Sequence, residues 1–127
     1  MMIIRKASKK DLPAILKLIG EHPEQLMQSH LPKASEFLLA IQGKRIVGCC
    51  ALEIYSKRLA EIRSLAVNKD FQGRGIATKL IKSCLKLAKK KKVYEVISIT
   101  SASRLFEKHG FGTFNNEKYA LIKILQN

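Results

Sequence analysis

Tryptophan is absent from the 127 residues, proline occurs three times, and aromatic side chains make up only 6% of the chain. No stretch approaches the roughly 18 uninterrupted apolar residues that a membrane span needs. The apolar start Met1-Met2-Ile3-Ile4 is broken by Arg5 and Lys6, too early for a signal peptide, so a cytoplasmic location is the expectation. There is no internal repeat, no Pro- or Ser-rich linker and no break in composition, which argues for one domain over residues 1–127. Acidic residues are scarce as well: 10 Asp and Glu stand against 24 Lys and Arg, a formal net charge of +14. Such a field attracts anions, whether nucleic acid, a phosphorylated cofactor or an acidic small molecule, and does not choose between them. A basic nucleic-acid-binding module is the weaker reading, because aromatic interleaving, a helix-turn-helix pattern and an RNA-recognition signature are all missing. The three cysteines, Cys49, Cys50 and Cys84, lack metal-ligand spacing and read as small buried hydrophobes of a reducing compartment. His22, His30 and His109 are scattered, and no metal site is expected.

What is present suits a packed core, with 46% hydrophobic and 27% charged residues. Met2 to Ala7 reads as a first strand, and Ser8 as the cap of a helix through Gly20, with Leu12, Ile15, Leu16 and Ile19 at helical spacing. His22 to Pro32 reads as a loop with room for a short helix. Glu36–Ile41 and Arg45–Tyr55 flank a Gly43 turn and predict a hairpin, followed by a strand from Arg58 to Val67. A helix from Gly75 to Lys90 carries Ile76, Leu80, Ile81, Cys84, Leu85 and Ala88 on one stripe. Lys89 to Lys92 at its end complement the helix dipole as a solvated run, with an anion or 3′-phosphate contact as the lesser reading. Val93–Thr100 reads as a strand and Ala102–His109 as a short helix stopped by Gly110. Phe111–Phe114 and Lys118–Leu125 read as a closing antiparallel pair turned at Asn115-Asn116-Glu117. The order implies an α/β fold with a mixed sheet of about six to seven strands flanked by three to four helices.

The chemistry concentrates in Leu65-Ala66-Val67-Asn68-Lys69-Asp70-Phe71-Gln72-Gly73-Arg74-Gly75-Ile76-Ala77-Thr78, where a strand ends and the long helix begins. Gly73 and Gly75 let the backbone approach a ligand, and successive amides at a helix start favour an anion. Arg74 adds a fork of donors for phosphate, and the Thr78 hydroxyl lies one turn on. The spacing is neither that of a Walker loop nor the full dinucleotide fingerprint.

Gln72-Gly73-Arg74-Gly75-Ile76-Ala77, preceded by Leu-Ala-Val, resembles the acyl-CoA loop of the GNAT superfamily of N-acetyltransferases. Phe106-Glu107-Lys108-His109-Gly110-Phe111 resembles the family's later motif, and the element order matches over nearly the whole chain. Gly48-Cys49-Cys50-Ala51-Leu52, Leu59–Val67, Ile99-Thr100 and Leu105–Lys108 are similar to the acetyltransferase domain of N-acetylglutamate synthase-type amino-acid acetyltransferases. The resemblance implies a GNAT-type acyl-CoA N-acyltransferase fold whose sheet splays between the strand ending at Val67 and the strand from Val93. It implies acetyl-CoA as co-substrate, with pantetheine against Leu65, Ala66 and Val67, pyrophosphate on Gln72 to Thr78, and Phe106 near the cofactor arm. It also implies a small-molecule amine acceptor, with glutamate first in line, and leaves a homodimer open.

Transfer from a thioester to an amine needs a base, a polarised carbonyl and a proton for the leaving thiolate. Glu61 is the candidate base, acting through water; Glu61, Arg63 and Leu65 share one face of an ideal strand. The competing reading of Glu61 is a solvated carboxylate paired with Arg63 or Lys57. Arg63 is the candidate clamp for an acceptor carboxylate, beside its reading as an ordinary surface arginine. Many relatives carry tyrosine at the position of Phe106, which cannot protonate a thiolate; water, Ser101, Ser103 and Tyr119 are the remaining sources. Leu31-Pro32-Lys33-Ala34-Ser35 only faintly resembles the synthases' acceptor region. Polyamine or protein amines as acceptors, and a non-catalytic acyl-CoA sensor, are the alternatives.

Overall fold

A computed structural model describes residues 2–113 and 117–126. Five strands, β1 (Met2–Lys6), β2 (Phe37–Gln42), β3 (Arg45–Ile54), β4 (Leu59–Val67) and β5 (Glu95–Ile97), lie side by side in chain order. The first four are mutually antiparallel, and β5 runs parallel to β4. A parallel neighbour needs a crossover, which α2 (Ile76–Lys90) provides on one face of the sheet. Helix α1 (Leu12–Gly20), entered through a single 3-10 turn, covers the opposite face, and α3 (Ser103–Glu107) follows β5.

Strand β2 is apolar at every position from Phe37 to Ile41 because both of its faces are covered. Leu38 and Ala40 join Cys50, Leu52, Leu80 and Ile81 beneath α2. Phe37 and Leu39 join Cys49 and Ala51 against Ile15, Leu18 and Ile19 of α1. The three cysteines are free and buried, as their reading as small hydrophobes required. Burial pushes the Cys49 thiol up to about 12, and the Cys50 and Cys84 sulfurs touch at 3.6 Å between β3 and α2.

Helix α2 comes so near the sheet that a Cβ on Gly48 would sit 3.0 Å from Ile76 Cγ2 and 3.1 Å from Leu80 Cδ1. Gly48→Val should therefore cost about 1–3 kcal/mol by overpacking and lower the melting temperature by several degrees. Because Ile76 opens α2, the same substitution displaces the helix start described below.

The entry to α1 is tied by charge. Arg5 donates to both carboxylate oxygens of Asp11 at 2.9 and 3.0 Å, and the Ser8 amide donates to Oδ2 at 2.8 Å. The bonds from Arg5, then from Ser8, hold the buried Asp11 carboxyl well below the usual range. A depressed folded value means that this stability is present above the unfolded value of about 3.9 and is lost as pH falls below it. Asp11→Asn should cost about 1–2 kcal/mol at neutral pH. The gap between variant and wild type should narrow progressively in denaturation series run from about pH 4 downward, as pH approaches the depressed folded value.

Two expectations need correction. The sheet has five strands among the described residues, not six to seven, while the three α-helices fall within the expected number. Of the closing pair, Phe114, Asn115 and Asn116 lie outside the described residues, and Phe111–Thr113 and Lys118–Leu125 form no strand. Leu121 (90% exposed) and Leu125 (83%) have the side chains of a strand but no packing surface, and strand propensity expresses fit to such a surface. Strand β5 is also shorter than Val93–Thr100, since the chain leaves β4 after Ile97.

Candidate active site

Strands β4 and β5 pair only from Leu59 opposite Glu95 to Glu61 opposite Ile97. Beyond that point β4 continues to Val67 while the other chain turns away, held by one bond from Ser98 Oγ to the Ile62 carbonyl at 3.0 Å. The sheet is thereby split, as the sequence implied. The opening forms a cleft of about 440 Å³ walled by Arg63 to Val67, by Ser98 to Ala102, by the start of α2 and by Phe106. Phe106 is buried, lines the cleft and meets the Phe111 ring edge-on behind it, with centroids 5.2 Å apart.

The loop between β4 and α2 follows from local chemistry. Asn68 opens a 3-10 turn, its Oδ1 accepting from the Asp70 amide at 2.9 Å. Its Nδ2 and the Lys69 amide both reach Glu21 at the end of α1, which anchors the loop to the other layer. Gly73 and Gly75 each have φ of 77°, and open space lies where a side chain would project. Lys79 is the first residue of α2 whose amide returns to the preceding turn, donating to the Gly75 carbonyl at 3.1 Å. The amides of Gly75, Ile76, Ala77 and Thr78 donate to no loop carbonyl or side chain among the described residues. Gln72, Gly73, Gly75, Ile76, Ala77 and Thr78 all line the cleft, as do Leu65, Ala66 and Val67. Arg74 does not: its guanidinium stacks on the outside of the loop, 4.7 Å from the Phe71 centroid, with Arg45 on the same ring at 5.0 Å.

The alternation assumed for β4 fails at Ser64. Register with β3 shifts between Cys49, opposite Ala66, and Ala51, opposite Arg63, and Ser64 takes a φ of 56°. This bulge inserts one residue and reverses the faces beyond it. Glu61 lies opposite Glu53 and Arg63 opposite Ala51, on the α1 side, whereas Leu65 packs with the α2 cluster. Glu61, Arg63 and Leu65 therefore do not share a face.

Glu61 does not line the cleft; it stands two residues before Arg63, which does. Its Oε1 accepts a 2.6 Å bond from Tyr55 Oη, which also contacts Glu53 at 3.0 Å. Arg63 is held from two sides, donating to Glu53 at 2.9 Å and to the His30 carbonyl at 2.7 Å. Burial lowers Arg63 and raises Glu53, but their mutual bond, with that of Tyr55, outweighs it: Arg63 ends above and Glu53 below its ordinary value. Neither Glu53 nor Tyr55 was singled out from the sequence; cross-strand register alone brings them to Glu61. His22 also joins unannounced, its Nε2 3.0 Å from the Val67 carbonyl at the cleft wall. Of the proton sources named above, Ser101 lines the cleft, while Ser103 and Tyr119 do not. Among the described residues no group of three His, Cys, Asp or Glu could hold a metal. No helix there is long and apolar enough to cross a membrane.

A sheet opened between two parallel strands, with a helix start presenting free amides along the cleft, is suited to an extended ligand with an anionic portion. The chain belongs to the acetyltransferase (GNAT) family, whose model matches residues 5–111. An uncharacterized N-acetyltransferase of Chlorobaculum tepidum is 30% identical over 122 residues, 91% of this chain and 79% of that protein. An amino-acid acetyltransferase of Mycobacterium tuberculosis is 30% identical over 118 residues, 86% of this chain and 67% of that protein. Among solved structures, Rv2747 from Mycobacterium tuberculosis, in complex with CoA, has a TM-score of 0.82 at 28% identity, covering 88% of this chain and 72% of that one. N-acetylglutamate synthase from Neisseria gonorrhoeae, complexed with CoA and L-arginine, has a TM-score of 0.76 at 27% identity. It is matched over 88% of this chain but only 27% of its own length. The resemblance read from the two motifs and the mixed α/β fold are thus borne out, and the chain is an acetyltransferase.

Proposed function

We propose that the protein moves the acetyl group of acetyl-CoA to the amine of a small acceptor, an amino acid such as glutamate, with Glu61 as the base. The observation that carries the reading is the two-sided cleft. Free amides at the start of α2 open on one side of β4, and Arg63, leading to Glu61, opens on the other. The cradle fits the cofactor: the Gly73 to Thr78 backbone offers donors for a pyrophosphate, with open space beside both glycines. The edge of β4 from Arg63 to Val67, past the last β5 pair and the Ser98 bond to Ile62, offers main-chain groups to an extended arm. CoA in the two solved relatives supports this assignment. Bound there, the cofactor supplies an activated acyl carbon. Glu61 then accepts the amine's proton through water, and water or Ser101 protonates the leaving thiolate, since Phe106 has no hydroxyl to do so. Arg63 retains three of its five N–H donors for an acceptor carboxylate, two being committed to Glu53 and His30.

A second reading has its own observation. Glu53 and Glu61 stand directly opposite each other, with Arg63 as the guanidinium bonded between β3 and β4 there. That local balance favours a cationic acceptor, a polyamine or a lysine side chain, over dianionic glutamate. Mass-detected transfer from acetyl-CoA to L-glutamate, spermidine and a lysine peptide, run in parallel, separates the two. Turnover of glutamate supports the amino-acid reading, and turnover of spermidine or peptide alone replaces it. Bound acetyl-CoA with all three acceptors untouched would move the assignment to a sensor or to another amine.

A further inference from the structure

We propose that Tyr55 is a positioning residue for Glu61, a swivelling donor that keeps the carboxyl hydrogen-bonded both before and after it takes the acceptor's proton. The inference rests on the reading of Glu61 as base.

Tyr55 Oη lies 2.6 Å from Glu61 Oε1 and 3.0 Å from Glu53 Oε1, and the two glutamates are direct cross-strand partners. A phenol has one proton to donate and lone pairs with which to accept, so it cannot donate to both carboxylates at once. With Glu61 ionised, the shorter contact takes the proton, in the range of a charge-assisted O–H···O⁻ bond. When the proton settles on Glu61 Oε1, that oxygen becomes a donor, and a partner able only to donate would confront it hydrogen to hydrogen or have to move to Oε2. Tyr55 avoids this by rotating its O–H toward Glu53 and accepting from Glu61 on a lone pair.

Glu53 is equipped to receive that swing. Arg63 donates to the same Oε1 at 2.9 Å, which keeps the carboxyl ionised. Burial, then the two carboxylates, push the Tyr55 phenol well above its ordinary value, so it keeps its proton throughout the cycle. The proton balance closes: the amine's proton passes to Glu61 and later to water, while the phenol's proton changes only its acceptor.

The test compares Tyr55→Phe, Glu53→Gln and Glu61→Gln in the full chain, using whichever of L-glutamate, spermidine or lysine peptide is turned over. Tyr55 is half exposed just past β3, and phenylalanine keeps the ring, so an unchanged melting temperature is expected. Tyr55→Phe should lower kcat about tenfold or more across pH, with KM for acetyl-CoA unchanged. Glu53→Gln, which retains an acceptor oxygen for the swung proton, should lose less. Ultraviolet titration gives a readout independent of turnover: the wild-type minus Tyr55→Phe difference isolates the ionisation of Tyr55, which should move to lower pH in Glu61→Gln. Wild-type kcat in Tyr55→Phe, with Glu61→Gln inactive, would overturn the swivel and leave the base standing. Wild-type turnover in Glu61→Gln would overturn both. If none of the three acceptors is used, a Tyr55 titration unmoved by Glu61→Gln overturns the proposal, and a shifted one supports it.

Discussion

Glu61→Gln should lower kcat by about a hundredfold or more while acetyl-CoA binds as in the wild type. General-base removal costs about 10²–10⁴ in rate, and a glutamine cannot take the amine's proton at any pH. The substitution is mild in every other respect. Its amide oxygen can still accept from Tyr55, the side-chain volume is unchanged, and no cleft-lining group is altered. The proposed cofactor cradle lies on the far side of the Ser64 bulge, so calorimetric titration with acetyl-CoA should be unaffected. Loss of turnover together with loss of cofactor binding would mean that β4 had been disturbed as a whole. Undiminished turnover would falsify the assignment of the base.

Gly75→Val should weaken acetyl-CoA binding by tenfold or more, a second large effect with a different origin. Gly75 caps α2 at φ 77° and ψ 14°, a left-handed conformation that costs a side-chain-bearing residue about 1–2 kcal/mol. A β-branched residue escapes by rotating its peptide, which turns the amides of Gly75 and Ile76 away from the common direction on which an anion site depends. Space beside Gly75 is open, so the chain itself meets no clash; the valine side chain would instead enter space next to the cradle. Calorimetry with acetyl-CoA reads the loss, and melting should report only the modest backbone strain. Arg74→Ala should lose less than Gly75→Val, because Arg74 lies on the Phe71 ring outside the cleft. Equal binding by Gly75→Val and the wild type would remove the helix start from the cofactor site.

Much of this site was legible in the sequence because it is built from local signals. Two glycines after Leu-Ala-Val, ahead of an apolar stripe at helical spacing, needed no tertiary information to mark a strand, a tight loop and a helix start. The Gly43 hairpin and the buried face of α2 were legible for the same reason. The position of Glu61 relative to Leu65 was not. A bulge at Ser64 carries no glycine or proline to announce it, and it is imposed by the match between β3 and β4 rather than by Ser64 itself. Glu53 and Tyr55 stayed hidden for a related reason: they are six to eight residues upstream of Glu61, and only the register makes them its partners. At the far end, the apolar run from Tyr119 to Leu125, broken only by Lys123, carried a strand's signature, but composition does not supply a neighbour to pair with.

The bulge also divides β4 into two stretches that can vary on their own. Before it, Glu61 and Arg63 face the α1 side, where the acceptor is proposed to bind, while Ala60 and Ile62 pack beneath α2. After it, Leu65 and Val67 face the α2 side, where the cofactor is proposed to lie, and Ala66 packs against α1. A continuous strand would couple the two, because any slip made to suit a new acceptor would drag the cofactor edge with it. Here Ser64 takes up the mismatch. On the proposed placement of the acceptor, a directed search for altered acceptor range should begin with Glu61, Arg63 and their partners Glu53 and Ala51 on β3.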